Sequence, residues 1–340
     1  MAPLNLALHP YTLTLAHSFG ISRERHDQQE TLIVSLSHQG ETGYGEATAN
    51  TYYDVQISEL ISEIENIRVL IEKASPEDPE AFYKFLRESK LSSFACCALD
   101  MAAWDLFGKL KGKPLHEIWG TTMEKYPVTN YTIGLDTTEV MVSKMREIPW
   151  PVYKIKLGTD RDVAIVTELR KHTDAIFRVD ANCAWTARET IENALALAEL
   201  GVEFIEQPLP ADDWEGMERV AHHCVLPVIA DESCLTAADV SSCALHFSGI
   251  NIKLTKCGGL TPARQMIQNA RDLGLKVMVG CMTESTVGIS AIAQLLPELD
   301  YVDMDGAMLL KSDIATGVRL EEGGRVILPA AAGSGVSLLS

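Results

Sequence analysis

The sequence predicts an α/β protein in which a barrel of alternating strands and helices follows a smaller α+β unit. The first observation is a series of charged residues, each at the end of a short apolar run, with a step of about 25 residues. These residues are Lys156, Asp180, Glu206, Asp231, Lys253 and Asp303. The second observation is that helical patterns alternate with these runs, which is typical of parallel strands joined by right-handed crossovers.

Residues 1–115 lack this repeat, and they predict the α+β unit. Alternating, strand-like segments come first, with a hairpin turn expected near Gly40 and Gly43. Helical patterns then follow at about 54–73, 78–88 and 93–111. The last of these is apolar on most faces, so we expect it to be buried.

The barrel is predicted over residues 116–310. Eight strands are expected to end at Thr132, Lys156, Asp180, Glu206, Asp231, Lys253, Gly280 and Asp303. Residues 311–340 are too few for another repeat, so we expect this segment to return to the N-terminal unit.

Composition restricts the class of protein. The chain has 340 residues, of which 46% are hydrophobic and 22% charged, and its net charge of −18 argues against nucleic acid or an anionic membrane as a partner. The N-terminus lacks the basic start and small-residue cleavage site of a signal peptide, so we expect a cytoplasmic protein. None of the eight cysteines has zinc-site spacing, which fits reduced thiols.

Three carboxylates end consecutive strands, the third to the fifth of the predicted barrel. Because neighbouring strands lie roughly 4.8 Å apart, Asp180, Glu206 and Asp231 are expected to converge on one small ion. An all-carboxylate set suits a hard divalent cation, and we predict one Mg2+. Asn182 and Glu232 lie next to two of these residues and are expected to support them.

Two lysine positions flank this predicted metal site. Lys154 and Lys156 are separated by one residue, so both are expected on the same face of the second strand. Lys253 belongs to the sixth strand, which stands opposite the second in an eight-stranded barrel. A neutral lysine can act as a general base, so Lys156 and Lys253 are the candidate catalytic residues, with Lys154 in support. The alternative is that these lysines only bind the neighbouring carboxylates.

Further residues at strand ends are candidates for substrate binding. Asp303 and Asp305 have the same side-chain parity and are expected to face one ligand group, although such a pair also occurs in ordinary turns. Thr132 ends the first strand, and Cys281 and Met282 follow the seventh. Lys256 is expected in a loop beside Gly258 and Gly259.

These motifs resemble the enolase superfamily over essentially the whole chain. The residues that carry the resemblance are Lys154-Ile-Lys156, Asp180-Ala-Asn182, Glu206-Gln207-Pro208, Ala230-Asp231-Glu232-Ser233 and Asn251-Ile-Lys253. They look like the branch that contains the muconate-lactonising enzymes. Within it, NIKLTKCGG at 251–259 and Asp303-Met304-Asp305 are similar to dipeptide epimerases of the Ala-Glu type.

The resemblance implies a modified (β/α)7β TIM-type barrel with an N-terminal α+β capping domain. It also implies a Mg2+-dependent epimerase that inverts the α-carbon of the C-terminal residue of an Ala-Xaa dipeptide through a metal-stabilised enediolate. Lysine on one face would remove the proton and lysine on the other would return one, while Asp303 and Asp305 would hold the dipeptide's ammonium. The alternatives in the same branch are o-succinylbenzoate synthase, N-succinylamino acid racemase and muconate cycloisomerase.

Side-chain specificity stays open at this point. Residues 18–26 resemble the family's loop over the barrel mouth, where members acting on Ala-Glu carry an arginine. Here Glu24 stands at that place, between Arg23 and Arg25, so Glu and Ala or hydrophobic second residues all remain candidates. We expect a small-molecule dipeptide as partner, no nucleic acid or membrane, and a homo-oligomer of undetermined size.

Overall fold

The chain begins with a three-stranded antiparallel sheet, described, like the rest of the fold, from a computed structural model that covers residues 3–20 and 25–339. Its strands, in sheet order, are β1 (Asn5–Gly20), β2 (Arg25–His38) and β3 (Glu41–Thr48). Gln39 and Gly40 connect β2 to β3 with positive φ angles of 52° and 89°. That is the geometry of a tight two-residue hairpin loop, which the sequence predicts near Gly40.

Five helices complete the N-terminal unit. They are α1 (Ile57–Asn66), α2 (Arg68–Ile71), α3 (Pro79–Glu88), α4 (Ser93–Lys111) and α5 (Leu115–Ile118). Helix α4 is buried along most of its length, as its apolar pattern predicts, and it packs directly on β3. Gly43 and Gly45 permit this contact, because a Cβ atom at either position would clash with the backbone of α4.

Eight parallel strands follow and pair in chain order, which confirms the predicted fold class. They are β4 (Tyr131–Ile133), β5 (Val152–Lys156), β6 (Ile176–Asp180), β7 (Val202–Glu206), β8 (Val228–Ala230), β9 (Gly249–Lys253), β10 (Lys276–Gly280) and β11 (Tyr301–Asp303). A parallel bridge between Thr129 and Val302 joins the last strand to the segment before the first, so the barrel closes. The predicted strand ends differ at two positions, since Thr132 lies within β4 and Asp231 directly follows β8.

Helices connect the barrel strands and cover its outer surface. They are α6 (Thr138–Glu147), α7 (Asp162–Arg170), α8 (Ala187–Glu199), α9 (Trp214–His223), α10 (Val240–Cys243), α11 (Leu254–Cys257), α12 (Leu260–Asp272) and α13 (Thr286–Ala293). Short 3-10 turns lie at Leu296–Glu298, Gly306–Leu309 and Glu322–Gly324. Within the described ranges, no helix is both long and apolar enough to span a bilayer.

The barrel interior is apolar at its base and charged at its mouth. Phe204, Ile229 and Met278 form a buried cluster that Tyr301 borders. Side chains two residues apart on a strand share a face, so Glu206 lies above Phe204 on the same inner face. The charged ends of the strands therefore lie above this buried cluster, on whose Phe204 and Tyr301 rings the guanidinium of Arg178 also packs.

The C-terminal segment forms β12 (Ala315–Thr316), β13 (Arg319–Glu321), β14 (Arg325–Ile327) and β15 (Ser337–Leu338). It contacts the N-terminal unit in several places. The Lys311 amide donates to the carbonyl of Thr14, and Ser334 donates to Asp105 of α4 through its amide and its hydroxyl. These contacts tie the segment to the cap, while the domain boundaries at 115 and 310 stay predictions.

Candidate active site

One pocket lies between the carboxyl ends of the barrel strands and the cap. The residues predicted from sequence that line it are Thr132, Lys154, Lys156, Asn182, Asp231, Glu232, Lys253, Cys281, Met282, Asp303 and Asp305. Asp180 and Glu206 are fully buried at its floor, where they contact the lysines that line it. The carboxyl end of a parallel barrel is where active sites of this fold lie.

The three carboxylates at the ends of β6, β7 and β8 converge. One oxygen from each of Asp180, Glu206 and Asp231 lies within 4.8 Å of the other two, and all three side chains are buried. Three hard oxygen donors at this spacing match the ligand set that Mg2+ prefers. Buried like charges need compensation, so the surrounding cations decide whether the cluster is stable.

Lysines compensate the cluster from both sides. Lys156 Nζ lies 2.7 Å from Asp180 Oδ2, and Lys253 Nζ lies 2.8 Å from Asp231 Oδ2. Because Asp180 and Asp231 are the outer members of the triad, the two amines stand on either side of Glu206. Both also line the pocket, which leaves space between them for a ligand.

Lys154 differs from these two lysines because it faces more than one carboxylate. Its Nζ lies 2.8 Å from Glu206 Oε2, 2.9 Å from Asp303 Oδ2 and 3.2 Å from Asp180 Oδ2. Burial alone would lower the pKa of Lys154, but the carboxylates, Asp303 above all, raise it well above its usual value. Lys154 is therefore a fixed positive charge at the floor of the site.

Burial and the neighbouring lysines shift the pKa values of the carboxyl groups in opposite directions. Burial raises the pKa of Glu206 to about 7, and the neighbouring Asp180 adds to this rise. Burial also favours protonation of Asp180 and Asp231, but the lysines around each carboxylate together outweigh it. The pKa of Asp180 is therefore lowered, and that of Asp231 lies well below its usual value. A divalent cation in contact with Glu206 would favour its ionised form.

Polar atoms around the triad support a metal site. Asn251 on β9 donates from Nδ2 to Glu206 Oε1 at 2.8 Å, while its own Oδ1 is buried and has no hydrogen-bond partner. The Oδ1 atom of Asn182 is likewise buried without a partner. Buried amide oxygens that lack donors are costly in a protein alone, and an ion with bound water at this point would satisfy them. The residues present therefore fit Mg2+.

The loops behind the carboxylates are held in unusual backbone conformations. Asn182 and Gln207 have positive φ angles of 44° and 32°, which are uncommon for residues with a Cβ atom. Gln207 then accepts from the amides of Asp231 and Ser233 through Oε1, at 2.9 and 3.1 Å. The side chain that follows one metal-site carboxylate thus orients the next one, a role that the sequence analysis did not assign.

Asp303 and Asp305 both reach the pocket from the end of β11. Asp303 accepts from Lys154 and from Asn130 Nδ2 at 2.7 Å, and Asp305 accepts from the amide and hydroxyl of Thr132. Burial and the charge of Asp303 raise the pKa of Asp305 well above its usual value, whereas Lys154 outweighs burial and lowers that of Asp303. A cation bound here would favour the ionised form of Asp305.

Two sequence-based placements differ from the structure. Lys256 lies on the single-turn helix α11, and its buried Nζ donates to Asp231 and to the carbonyl of Asn251. It was expected in a loop because one turn is too short to show periodicity. Arg25 lies outside the pocket and pairs with Asp136 at 3.0 Å, so its predicted contact with substrate is not supported. Arg23 and Glu24 lie outside the described residues.

The cap supplies pocket residues that the sequence analysis missed. They include Gln29, Asn50 and Tyr53, with Leu309 opposite them, whereas Phe19 and His26 belong to the segment 18–26 that was expected over the barrel mouth. Asn50 also donates to Met282 Sδ at 3.8 Å, across the boundary between cap and barrel. Repeat spacing cannot find such residues, because their place in the pocket depends on how the cap docks. Asn251 was detectable, since it precedes Lys253 by two residues and shares its face.

Comparison with known proteins identifies both parts of the chain. Residues 8–120 match the family "Mandelate racemase / muconate lactonizing enzyme, N-terminal domain", and residues 139–339 match the family "Enolase C-terminal domain-like". An L-Ala-D/L-amino acid epimerase of Maribacter sp. is 66% identical, with 98% of this chain and 99% of the relative covered. A protein of the same name from Flavobacterium johnsoniae is 56% identical over 99% of this chain and 100% of its own.

Solved structures agree with this relationship. The dipeptide epimerase of Enterococcus faecalis V583, complexed with Mg and the dipeptide L-Leu-L-Tyr, has a TM-score of 0.93 and 30% sequence identity. The comparison covers 99% of this chain and 100% of that one. The cap, the closed barrel and the triad at its mouth agree with these matches. The chain thus belongs to the mandelate racemase/muconate lactonizing enzyme family of the enolase superfamily.

Proposed function

We propose that this protein is a Mg2+-dependent dipeptide epimerase that inverts the α-carbon of the C-terminal residue of an Ala-Xaa dipeptide. The observation that carries the proposal is the placement of Lys156 and Lys253 at the two outer carboxylates of the triad, with both amines facing one pocket. The relatives named as epimerases and the neighbour with bound Mg and dipeptide support it.

Asp180, Glu206 and Asp231 would hold the ion. When bound, Mg2+ would neutralise the negative charge that builds on the substrate carboxylate as its α-proton leaves. The lysines perform the proton transfers: one amine removes the α-proton from one face, and the other ammonium delivers a proton to the opposite face. Two bases on opposite faces produce inversion, and Lys156 and Lys253 exchange roles when the reaction runs in reverse.

Asp303 and Asp305 provide the contact for the substrate's free ammonium group. Both carboxylates lie at the pocket wall. Of these two, only Asp303 forms an ion pair with Lys154. A substrate without a free ammonium, as in the synthase, N-succinyl and muconate reactions of the same family branch, would leave Asp305 without a cationic partner. This pair therefore favours dipeptide epimerisation over those alternatives.

We propose an uncharged side chain at the epimerised residue. The cap side of the pocket is lined by Phe19, His26, Asn50 and Tyr53, and Met282 faces them from the barrel. Among the described residues, the only lysines that line the pocket already pair with carboxylates, and no arginine lines it. Within the part of the pocket that the structure describes, an acidic side chain would therefore meet no lysine or arginine that lacks a carboxylate partner.

The test is a dipeptide library in D2O with Mg2+, read by the mass gain of one deuterium and by inversion of the stereocentre. The proposal predicts exchange with inversion for Ala-Xaa dipeptides, faster for apolar Xaa than for Glu, and loss of both when a chelator removes the metal. Dehydration of a cyclohexadiene substrate without any dipeptide exchange would instead identify a synthase.

We also propose that the protein works in the cytoplasm. All eight cysteines are free thiols. Free thiols persist in reducing compartments, where disulfides are rare. Retention of activity in glutathione-reduced lysate, and its recovery in the cytosolic fraction of cells, would agree with this placement.

A further inference from the structure

A buried carboxylate of the N-terminal domain accepts hydrogen bonds from the start of a barrel helix. Asp100 lies on α4 and is fully buried. It accepts from the Thr261 amide at 2.9 Å and from the Thr261 hydroxyl at 2.6 Å. Thr261 lies in the first turn of α12, whose N-cap residue Gly259 has no side chain to accept from this turn. Asp100 therefore does from the other domain what an N-cap side chain usually does.

The segment just before α12 carries part of the candidate active site. It runs from Lys253 through α11 to Gly258 and Gly259, which have φ angles of 104° and 121°. Lys256 on α11 donates to both the carbonyl and Oδ1 of Asp231. One end of this segment is therefore a candidate base, its middle holds a candidate metal ligand, and its far end meets Asp100.

The fit at this far end is close. A Cβ atom at Gly259 would clash with the Asp100 side chain, so the carboxylate fills the space that a residue other than glycine would need. Two other cap side chains reach the same segment: Trp104 donates from Nε1 to the Thr261 hydroxyl at 2.8 Å, and Tyr83 donates to the carbonyl of Cys257 at 3.4 Å. The cap holds the segment at several points, with the carboxylate at the centre.

We propose that Asp100 is a positioning residue for the active site: it fixes the start of α12 and thereby holds Lys256 on Asp231 and Lys253 beside it. The assignment of Lys253 as a base rests on the proposed function, whereas the effect on Asp231 does not. Asp100 thus acts on the Lys253 side of the pocket, whereas Lys156 lies on β5.

Asp105 offers a matched control on the same helix. It is also fully buried, and it accepts from the amides of Tyr44 and Ser334, the hydroxyl of Ser334 and the amine of Lys109. None of these partners belongs to the pocket. Loss of this carboxylate should weaken the fold without a specific effect on the site.

The experiment compares Asp100→Asn with Asp105→Asn in the full chain. Asn keeps one acceptor oxygen but turns an N–H group towards a backbone amide. We expect Asp100→Asn to weaken Mg2+ binding about tenfold in calorimetry and to speed amide hydrogen exchange in residues 254–262. α-Proton exchange should fall about tenfold more for the stereoisomer that Lys253→Ala no longer exchanges than for the other one. Asp105→Asn should leave this ratio and the Mg2+ affinity unchanged.

Two results would overturn the proposal. One is an equal loss of exchange for both stereoisomers in Asp100→Asn with unchanged Mg2+ affinity, because a purely structural role predicts it. If that variant does not fold, Thr261→Val removes the hydroxyl bond while keeping the amide, and an unchanged ratio there would also count against the proposal. If the unmodified protein exchanges no dipeptide, the proposed function fails, but Mg2+ affinity and amide exchange still decide the role of Asp100.

Discussion

Four lysines surround the candidate site, and their immediate neighbours give them different roles. Lys154 faces three carboxylates and stays charged, and Lys256 is buried with its donors directed at Asp231 and nearby carbonyls. Lys156 and Lys253 each contact a single carboxylate of the triad and line the pocket. Residue type alone would not separate these roles, but the carboxylates around each amine and its access to the pocket do.

Glu206→Gln should lower Mg2+ affinity by at least tenfold, since it removes the central negative charge of the triad and loss of even supporting groups costs about 10- to 100-fold. Isothermal titration calorimetry measures this. Glu203→Gln is the matched control, because Glu203 lies on the same strand but pairs with Arg178 at 2.7 Å, away from the triad. Equal affinity in the two variants would place the metal elsewhere.

Asp305→Asn should raise KM for dipeptides with a free amino group while changing KM for N-acetylated dipeptides little. The reason is that this change removes the carboxyl group that no lysine compensates directly. Steady-state kinetics with matched free and acetylated Ala-Leu tests it. A similar rise in KM for both substrates would mean that Asp305 shapes the pocket and does not bind the ammonium.

For single residues, the spacing in the sequence correctly predicted which side chains share a face of the barrel. It did not predict contacts between residues that are far apart in the sequence. Asp180, Glu206 and Asp231 converge because they end adjacent strands. The role of Gln207 was not predictable, since its amide reaches Ser233 only after two loops fold together. Arg25 differs for the same reason, because Asp136 comes from a distant part of the chain.

Among the elements, helices α12 and α13 are both held by carboxylates of the N-terminal domain. Asp100 accepts from the first turn of α12, and Glu46 of β3 accepts from the first turn of α13. The loop before α13 lines the pocket, and α12 is connected to the pocket residue Lys253 through α11. The sequence predicts the strands and helices, because each has its own periodicity. It does not predict these helix-capping hydrogen bonds, which join residues more than one hundred positions apart.

Glu46→Ala should destabilise the protein by roughly 2–4 kcal/mol, because buried donors would lose their acceptor. Those donors are the hydroxyl of Thr31, the amide and hydroxyl of Ser285 and the amide of Gly288. Urea denaturation followed by circular dichroism measures the free energy of unfolding. Glu41→Ala, on an exposed position of the same strand, should cost less than about 0.5 kcal/mol. Equal costs would show that Glu46 contributes nothing as a cap.

Across the whole molecule, acidic residues outnumber basic ones, and the chain carries a net charge of −18. The pocket is lined by three lysines as well as by carboxylates from the strand ends. The class of fold and six of the eight strand ends followed from the repeat in the sequence. The shape of the pocket did not, since its upper wall comes from the docked cap.

Stability should depend on pH through Asp100. Burial raises the pKa of Asp100 to about 7, and the nearby Glu80 adds to the rise. A group whose pKa is raised by folding stabilises the folded state most at pH values below its unfolded pKa of about 4, and this contribution declines as the pH rises towards 7. The stability difference between the unmodified protein and Asp100→Asn should therefore shrink from pH 4 to pH 7 in urea denaturation. A difference that grows with pH would contradict this assignment.

The central claim is that Lys156 and Lys253 act on opposite faces of one bound dipeptide. The most direct measurement is α-proton exchange in D2O for each stereoisomer separately, with Lys156→Ala and Lys253→Ala. We predict that neither variant epimerises and that each still exchanges only one stereoisomer, a different one in each case. Exchange of the same stereoisomer by both variants, or ordinary epimerisation by both, would contradict the two-base arrangement.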